Sequence, residues 1–419
     1  MKTDIVIIGG GMVGICLAIL LARKKPSWSV TLIESFPLAQ NNDSSSLNSK
    51  NHQPSFDSRS TALAAGSKDI LEQCGLWKTL KAHATPITKV HVSDKNHFGG
   101  AVIDAADYAM DAVGYVVENA WFGQVLKEEL FRYDSIHIVA PASVKTVKPK
   151  KNGYDIEVQI QNSQCEQKDL IGASSQCISA ELTIVADGAN SAIAQQLGIQ
   201  ITEKNYHQQA LVANIQCDKP HHGIAYERFT DQGPIALLPL NSVDKHSKTM
   251  ALVWTLPEKN QTLLKCDDSF FLKTLQERFG FRQGYFLRVS RRIQHPLKLQ
   301  LAKEQVRRSL VLMGNAAHFL HPVAGQGFNL ALRDCDSLST ILSTAVDKKQ
   351  SIGDLHILQQ YVDNQKMDQL ATVSLSDNFV EWFSSASSTK SVLRNMGLFA
   401  LDAVPGAASI LGKRTMGLQ

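Results

Sequence analysis

Residues 4–14 read DIVIIGGGMVG, an apolar, β-branched run followed by a glycine turn. The run predicts a buried strand of a parallel sheet. The apolar residues from Met12 to Lys24 predict a helix that Pro26 ends, and Val30 to Ile33 predict a second buried strand. Together these elements form a βαβ unit, which predicts an α/β fold with a Rossmann-like nucleotide-binding domain.

The glycine turn satisfies the pattern GxGxxG at Gly9, Gly11 and Gly14. Gly9 permits a tight turn, Gly11 lets the backbone approach a pyrophosphate, and Gly14 lets the helix pack closely on its strand. Glu34 follows the second strand, about 20 residues after the motif, where a ribose-binding carboxylate is expected. These features predict an ADP-binding site, and they leave NAD and FAD open.

Two later segments favour FAD. Residues 184–191 read IVADGANS, a strand that ends in an Asp-Gly turn. Residues 312–318 read LMGNAAH and residues 322–329 read PVAGQGFN, where glycines again precede a predicted helix. A second helix N-terminus suits a flavin carbonyl oxygen that gains negative charge on reduction.

At this point the sequence resembles the class A flavoprotein aromatic hydroxylases, which have the para-hydroxybenzoate hydroxylase fold. Residues 56–63 (FDSRSTAL) and 117–119 (VEN) are similar to the ubiquinone-biosynthesis branch of that family. Residues 226–230 (YERFT) and 90–94 (VHVSD) most resemble its 2-polyprenyl-6-methoxyphenol hydroxylases. The resemblance implies an FAD-dependent monooxygenase that hydroxylates a polyprenylated phenol with NAD(P)H and O2, through a flavin C4a-hydroperoxide.

The resemblance also implies the site residues. It assigns contacts with non-covalent FAD to Gly9, Gly11, Met12, Val13, Gly14, Glu34, Arg59, Asn119, Val144, Asp187, Gly188, Gly314, Asn315, Gly327, Phe328 and Asn329. It places Pro322, Gly325, Gln326 and Gly327 beside the flavin. NAD(P)H is expected as a transient reductant, and neither a catalytic nucleophile nor a metal is implied. Asn315 departs from the family, which usually has Asp after the glycine.

The predicted strands of the nucleotide-binding kind are scattered along the chain, which indicates a discontinuous domain. We assign residues 1–87, 115–194 and 289–383 to the FAD-binding domain. Residues 88–114 and 195–288 are assigned to an inserted β-rich substrate domain, and residues 384–419 to C-terminal helices. The β-rich domain is expected to cover the substrate ring.

Composition limits the possible partners. The net charge of +4 is mild and scattered, which argues against nucleic acid, and seven cysteines without a CxxC pair indicate reduced thiols of a cytoplasmic protein. His318 and His321 are interpreted as flavin-loop residues and not as metal ligands. A homo-oligomer remains open.

A polyprenyl tail stays in a bilayer or in an apolar groove, because each buried CH2 contributes about 0.8 kcal/mol. Residues 392–416 mix apolar and basic side chains. They predict one of two arrangements. Either the segment attaches the protein to the inner face of the cytoplasmic membrane or to a quinone-synthesis complex, or it forms a helix that packs on the body of the protein.

Three other functions remain open at this stage. One is a sibling ubiquinone hydroxylase that acts at another ring position. Another is a flavin reductase or dehydrogenase of the same fold, which would not consume O2. The last is a flavoprotein kept as a structural member of a complex. NADH oxidation with O2 uptake coupled to a hydroxylated product separates the hydroxylases from the others.

Overall fold

The computed structural model describes residues 1–38, 53, 55–57, 59–95, 100–161, 174–241, 247–260, 262–320 and 325–383. The predicted C-terminal segment 384–419, Pro322 and His321 lie outside these residues. Among the residues described, no helix combines the length and apolarity needed to cross a bilayer, and no cluster of His, Cys, Asp and Glu could hold a metal ion.

Strands outnumber helices among the described residues, and several strands follow one another without a helix between them. The strands are β1 (Lys2–Ile8), β2 (Val30–Ile33), β3 (Ser60–Ala64), β4 (Thr85–Ile87), β5 (Lys89–Asp94), β6 (Gly100–Asp104), β7 (Gly114–Glu118), β8 (Ile136–Val139), β9 (Ala142–Lys150), β10 (Gly153–Ile160), β11 (Ser174–Val185), β12 (Ile201–Cys217), β13 (Ile224–Phe229), β14 (Ile235–Leu240), β15 (Thr249–Pro257), β16 (Phe286–Val289), β17 (Ile293–Ala302), β18 (Val306–Arg307), β19 (Leu310–Leu312) and β20 (His318–Phe319). The helices are α1 (Met12–Lys24), α2 (Ala65–Gln73), α3 (Trp77–Leu80), α4 (Asn119–Leu130), α5 (Ala192–Gln196), α6 (Thr262–Lys265), α7 (Asp268–Phe279), α8 (Gln326–Asp347) and α9 (Leu355–Phe383).

The first sheet is built on a parallel core. Its strands follow the order β18-β19-β11-β1-β2-β8, with β10 and β9 added beside β11. β1 lies between β11 and β2 and is parallel to both, and β19 and β8 continue the parallel arrangement. Ile5 and Ile7 on one face of β1 and Val6 on the other are all fully buried, so the sheet is covered on both faces, which explains the continuous apolar run. The predicted α/β fold is confirmed.

A nine-stranded sheet forms the second layer. Its order is β20-β17-β12-β15-β14-β13-β5-β6, and β16 pairs with β12. One face packs against α7, where Trp254, Phe271 and Phe279 are buried. β17 belongs to this sheet, although the division predicted from the sequence assigns residues 289–383 to the FAD-binding domain. That division remains a proposal.

A three-stranded sheet of order β3-β7-β4 connects the two larger sheets. Val116 of β7 packs in one buried cluster with Ala225 of β13 and Ala251 of β15. Leu63 of β3 and Val117 of β7 belong instead to the core around α1. The small sheet therefore fixes the nine-stranded sheet relative to the parallel one.

Candidate functional site

Four of the predicted segments meet at one edge of the parallel sheet. Ile8 of β1 is paired with Ile33 of β2 and Val185 of β11, and Val185 is paired with Leu312 of β19. These residues are the carboxyl ends of their strands. The glycine turn, Glu34, the Asp-Gly turn and the Gly-Asn turn follow directly, so they line the edge at which open α/β sheets bind ligands.

Two glycines of the first turn are required by sterics. Gly9 has φ +112°, and a Cβ there would overlap the carbonyl oxygen of Ala186. A Cβ on Gly14 would overlap the carbonyl oxygen of Gly9. The structure thus agrees with the roles argued from the sequence, a tight turn and a close helix approach.

The first turn of α1 is arranged to receive an anion. Gly11 is the N-cap residue, no side chain caps the N–H groups that follow, and the turn contains no acidic residue. A Cβ on Gly11 would meet only side-chain ends, the Nε2 of Gln53 and the Oγ of Ser55, both at 3.3 Å. Met12 and Val13 begin the helix and are partly exposed. Uncapped N–H groups beside a glycine fit a pyrophosphate.

Glu34 is held firmly at the end of β2. It is 4% exposed, and its Oε2 accepts a hydrogen bond from the Gly10 N–H at 2.6 Å. Its Oε1 accepts from the Phe36 N–H at 2.9 Å and from the Ser35 hydroxyl at 3.0 Å. The carboxylate is therefore fixed beside the glycine turn, with acceptor positions left for ribose hydroxyls. Val144 lies on β9, whose first residue donates its N–H to the Glu34 carbonyl.

The Asp-Gly and Gly-Asn turns lie beside the start of α1. Gly314 has φ +59°, and a Cβ there would lie 3.3 Å from the Cγ atoms of Val13. Asn315 is exposed in the turn that follows. Gly188 has φ +95° with open space where a Cβ would point, and the Asp187 carboxylate accepts from the Ser191 hydroxyl.

The start of α8 combines open backbone with a buried amide. Gly325 caps the helix with φ +61°, and a Cβ on Gly327 would meet nothing within 4 Å, so cofactor atoms could approach there. Gln326 between them is partly exposed. The Phe328 ring instead packs edge-on against Phe122, with ring centroids 5.5 Å apart.

The side chain of Asn329 forms hydrogen bonds with other residues of the protein. Its Oδ1 accepts from the Ala64 N–H at 2.8 Å and from the Ser67 hydroxyl at 2.7 Å. Its Nδ2 donates to the carbonyl oxygens of Ala62 and Gly325, at 2.9 and 2.8 Å. The side chain is 1% exposed. Its four hydrogen bonds connect the start of α8 to β3 and α2, so only the backbone of Asn329 is available to a cofactor.

Arg59 and Asn119, which were predicted on resemblance, share Asp57. The Asp57 carboxylate accepts from the Arg59 Nε at 2.6 Å and from the Asn119 Nδ2 at 3.5 Å. His295 of β17 lies close by: burial, followed by the Arg59 guanidinium, lowers the pKa of its imidazole. Sequence reasoning missed Asp57 and His295, although Asp57 stands inside the quoted FDSRSTAL motif.

Comparisons with known proteins agree with this geometry. The model of the FAD binding domain family matches residues 2–366. The ubiquinone hydroxylase UbiL of Rhodospirillum rubrum is 30% identical, covering 99% of this chain and 89% of the relative. The 3-demethoxyubiquinol 3-hydroxylase of Escherichia coli is 29% identical, covering 96% and 95%. The crystal structure of p-nitrophenol 4-monooxygenase PnpA from Pseudomonas putida superposes with a TM-score of 0.76 at 17% identity, covering 99% and 98%.

Proposed function

The chain belongs to the FAD binding domain family, and from that premise we propose that it hydroxylates the aromatic ring of a polyprenylated phenol in ubiquinone biosynthesis. It is an FAD-dependent monooxygenase. The proposal rests on one observation: the segments that would hold FAD form a single cradle in a chain that matches ubiquinone hydroxylases along nearly its whole length.

The residues at the edge of the parallel sheet fit FAD. The uncapped start of α1 would bind the pyrophosphate, and Glu34 would accept hydrogen bonds from the ribose. The open space at Gly188 and Gly327 leaves room for the rest of the cofactor. When bound and reduced by NAD(P)H, FAD supplies the electrophilic oxygen derived from O2, and the protein positions the ring and excludes water.

The cofactor assignment of Glu34 has a direct test. Glu34→Ala should weaken FAD binding by about 1.5–3 kcal/mol, because a charged acceptor of ribose hydroxyls is lost. Glu34→Gln is the matched control, since its amide keeps one acceptor oxygen and should lose less. Equal FAD affinity in folded wild-type and Glu34→Ala protein, measured by calorimetry, would remove Glu34 from the site.

The activity itself is tested by asking whether NADH oxidation is coupled to formation of a hydroxylated product. Purified holoprotein with NADH, O2 and a short-chain prenylated phenol should consume O2 and form a hydroxylated product detected by mass spectrometry. NADH oxidation without a product would favour a reductase, and no oxidation at all would favour a structural flavoprotein.

For the substrate, and with it the ring position that is hydroxylated, we propose 2-polyprenyl-6-methoxyphenol. The name of the Escherichia coli relative specifies a different substrate, so the sibling reaction is the main alternative. Complementation of mutants that each lack one quinone-synthesis hydroxylase, with mass spectrometry of the accumulated intermediate, separates the two.

We further propose that residues 392–416 hold the protein at an anionic membrane surface or in a quinone-synthesis complex. Deleting residues 392–419 should leave FAD binding intact and reduce co-sedimentation with anionic liposomes. Turnover of a long-tailed substrate should fall, whereas turnover of a short-chain phenol should persist. Loss of flavin on deletion would show instead that the segment packs on the body.

A further inference from the structure

A row of partly exposed side chains crosses the nine-stranded sheet. The pairing register places six residues side by side on one face, from β5 to β17. They are Val92, Glu227, Ala236, Val253, Val212 and Ile293. We call this row the wall. Glu227 is its one ionisable member.

The wall lies opposite a sealed face. Neighbours of the wall residues along each strand point the other way, and there Leu211, Leu237, Leu252 and Trp254 are at most 1% exposed beneath α7. All six wall residues are instead partly exposed. The wall is therefore the face of this sheet that the described residues leave uncovered.

This uncovered face lies on the side of the flavin cradle. Ala225, which shares the face of Glu227, packs in one cluster with Val116 of β7. Val116 is paired with Ala62, and a Cβ on Gly325 would lie 3.2 Å from the Ala62 Cβ. At the other end of the wall, His295 follows Ile293 on the same face and lies close to Arg59. The wall therefore spans from Arg59 towards the strand that carries Glu227, beside the start of α8.

Glu227 stands alone in these surroundings. Among the described residues its carboxyl makes no hydrogen bond and no ion pair, and its neighbours across the strands are Ala236 and Val92. Burial raises the pKa of this carboxyl to about 7. A carboxyl without a protein partner on an otherwise apolar face can accept a hydrogen bond from a ligand that supplies a donor.

Building on the proposed function, we propose that Glu227 is a catalytic residue that accepts the hydroxyl proton of the phenol substrate as the ring is hydroxylated. The carboxylate first accepts a hydrogen bond from the phenol O–H, which orients the ring along the apolar wall. As a ring carbon bonds to the electrophilic oxygen, the O–O bond of the oxygen donor breaks and its electron pair leaves with the other oxygen. In the same step the phenol O–H bond breaks, and its electron pair forms the C=O of a dienone. The proton moves to the Glu227 carboxylate.

The cycle then closes. The new sp³ carbon loses its hydrogen as a proton to water, its C–H electron pair restores the aromatic ring, and the dienone oxygen recovers a proton from Glu227. Glu227 ends as the carboxylate with which it began. Oxygen and reducing equivalents come from O2 and NAD(P)H, as in the proposed function.

Other charged or titratable groups lie around Glu227. Asp94 follows Val92 on the same face of β5, and Tyr108 packs against the cluster that contains Ala225. Arg228 and Lys89 lie on the same pair of strands, and the Arg59, Asp57 and His295 group lies at the far end of the wall. Burial is the one cause of the raised pKa of Glu227, so none of these groups sets it.

The first test compares Glu227→Gln with Glu277→Gln in the FAD-loaded enzyme. Glu277 is exposed on α7, on the other side of the sheet, and serves as the matched control. With a short-chain prenylated phenol, kcat of Glu227→Gln should fall roughly 10²–10⁴-fold, because the amide accepts a hydrogen bond but not the proton. KM should change little, and the rise of kcat/KM through about pH 7 should disappear. An unchanged kcat and pH profile would overturn the proposal.

The second test does not require turnover. 4-Nitrophenol, whose visible absorbance reports its ionisation, is titrated on the oxidised holoprotein. A neighbouring carboxylate disfavours the phenolate, so the pKa of the bound probe should be at least about one unit higher on wild type than on Glu227→Gln. Equal values, or no binding to wild type, would overturn the role of Glu227.

The two readouts separate the hypotheses. If wild type forms no hydroxylated product while the bound probe still responds to Glu227, the proposed function fails and the carboxyl site stands. If wild type turns over and neither readout depends on Glu227, only this inference fails. Should Glu227→Gln not fold, Glu227→Asp takes its place: a reduced kcat that still rises with pH supports the proposal, and a kcat independent of pH contradicts it.

Discussion

His318 and Asp334 form a buried pair, with the His318 Nε2 and the Asp334 Oδ2 2.6 Å apart and the side chains 2% and 0% exposed. His318 ends the segment that carries Gly314 and Asn315, and Asp334 lies on α8. The other Asp334 oxygen accepts from the Gln369 Nε2 of α9 at 3.0 Å. One carboxyl therefore connects the Gly-Asn turn to two helices behind it.

The first prediction concerns this pair. Asp334→Ala should destabilise the holoprotein by about 2–5 kcal/mol, because it leaves two buried groups, the His318 Nε2 and the Gln369 Nε2, without their acceptor, at about 1–3 kcal/mol each. Asp334→Asn, which keeps one acceptor oxygen and the shape, should cost less than half as much. Urea unfolding followed by circular dichroism measures both. A loss below about 1 kcal/mol for the alanine variant would mean that the pair contributes little.

Asn329 should be as sensitive, for a different reason. Asn329→Ala leaves four groups of β3, α2 and the loop before α8 without partners, at a cost of about 1–3 kcal/mol for each that stays buried and unsatisfied. Asn329→Asp keeps the two acceptor contacts and loses the two donor contacts, so its loss should be intermediate. Thermal unfolding and the flavin retained on gel filtration are the readouts. Full flavin retention in a destabilised Asn329→Ala protein would show that this amide supports only the fold.

A third prediction separates two glycines of one turn. Gly11→Val should keep the fold and lose FAD, since its added atoms meet only movable side-chain ends and occupy the approach of the pyrophosphate. Gly14→Val should prevent folding, because its Cβ overlaps the Gly9 carbonyl. Circular dichroism measures whether each variant folds, and flavin absorbance measures how much FAD it holds. Flavin at wild-type occupancy in Gly11→Val would make this turn structural only.

The contrast between predicted and unpredicted features has a physical basis. The bounds of α1 and β2 match the sequence expectation because local apolar patterns and turn residues determine them. The amide of Asn329 bonds Ala62, more than 260 residues away, so no local pattern indicates that contact. Glu227 stood in the quoted YERFT motif, yet its place on the wall depends on the register of several strands, which the sequence alone does not specify.

Asn315 tests the electrostatics of the site. Asn315→Asp restores the carboxylate usual in the family and should leave the fold intact, because the side chain is exposed in its turn. The added negative charge disfavours anionic reduced flavin. A screened charge contributes about 1 kcal/mol, so the two-electron potential should fall by roughly 20 mV. Asn315→Ser, which adds no charge, is the control. A potential equal to that of wild type would place residue 315 too far from the flavin to matter.

The last prediction concerns Glu227 and the pH dependence of stability. The pKa of its carboxyl is about 7 in the folded protein, against an ordinary value of 4.5. The folded state therefore holds this proton more tightly than the unfolded chain. Between about pH 4.5 and pH 7 the unfolded chain releases the proton first, so the contribution of Glu227 to the free energy of unfolding declines as pH rises.

Above about pH 7 the folded protein carries a charge that is partly removed from water. The cost is at most about 3 kcal/mol, and it is reduced because water reaches the partly exposed side chain. Glu227→Gln removes the charge, so it should be more stable than wild type at about pH 8 and no more stable at about pH 4.5. Urea unfolding of both holoproteins at the two pH values, with excess FAD and with Glu277→Gln as control, measures the difference. If the stability gap between wild type and Glu227→Gln is the same at both pH values, the carboxyl is solvated as an ordinary surface glutamate, and the wall does not shield it from water.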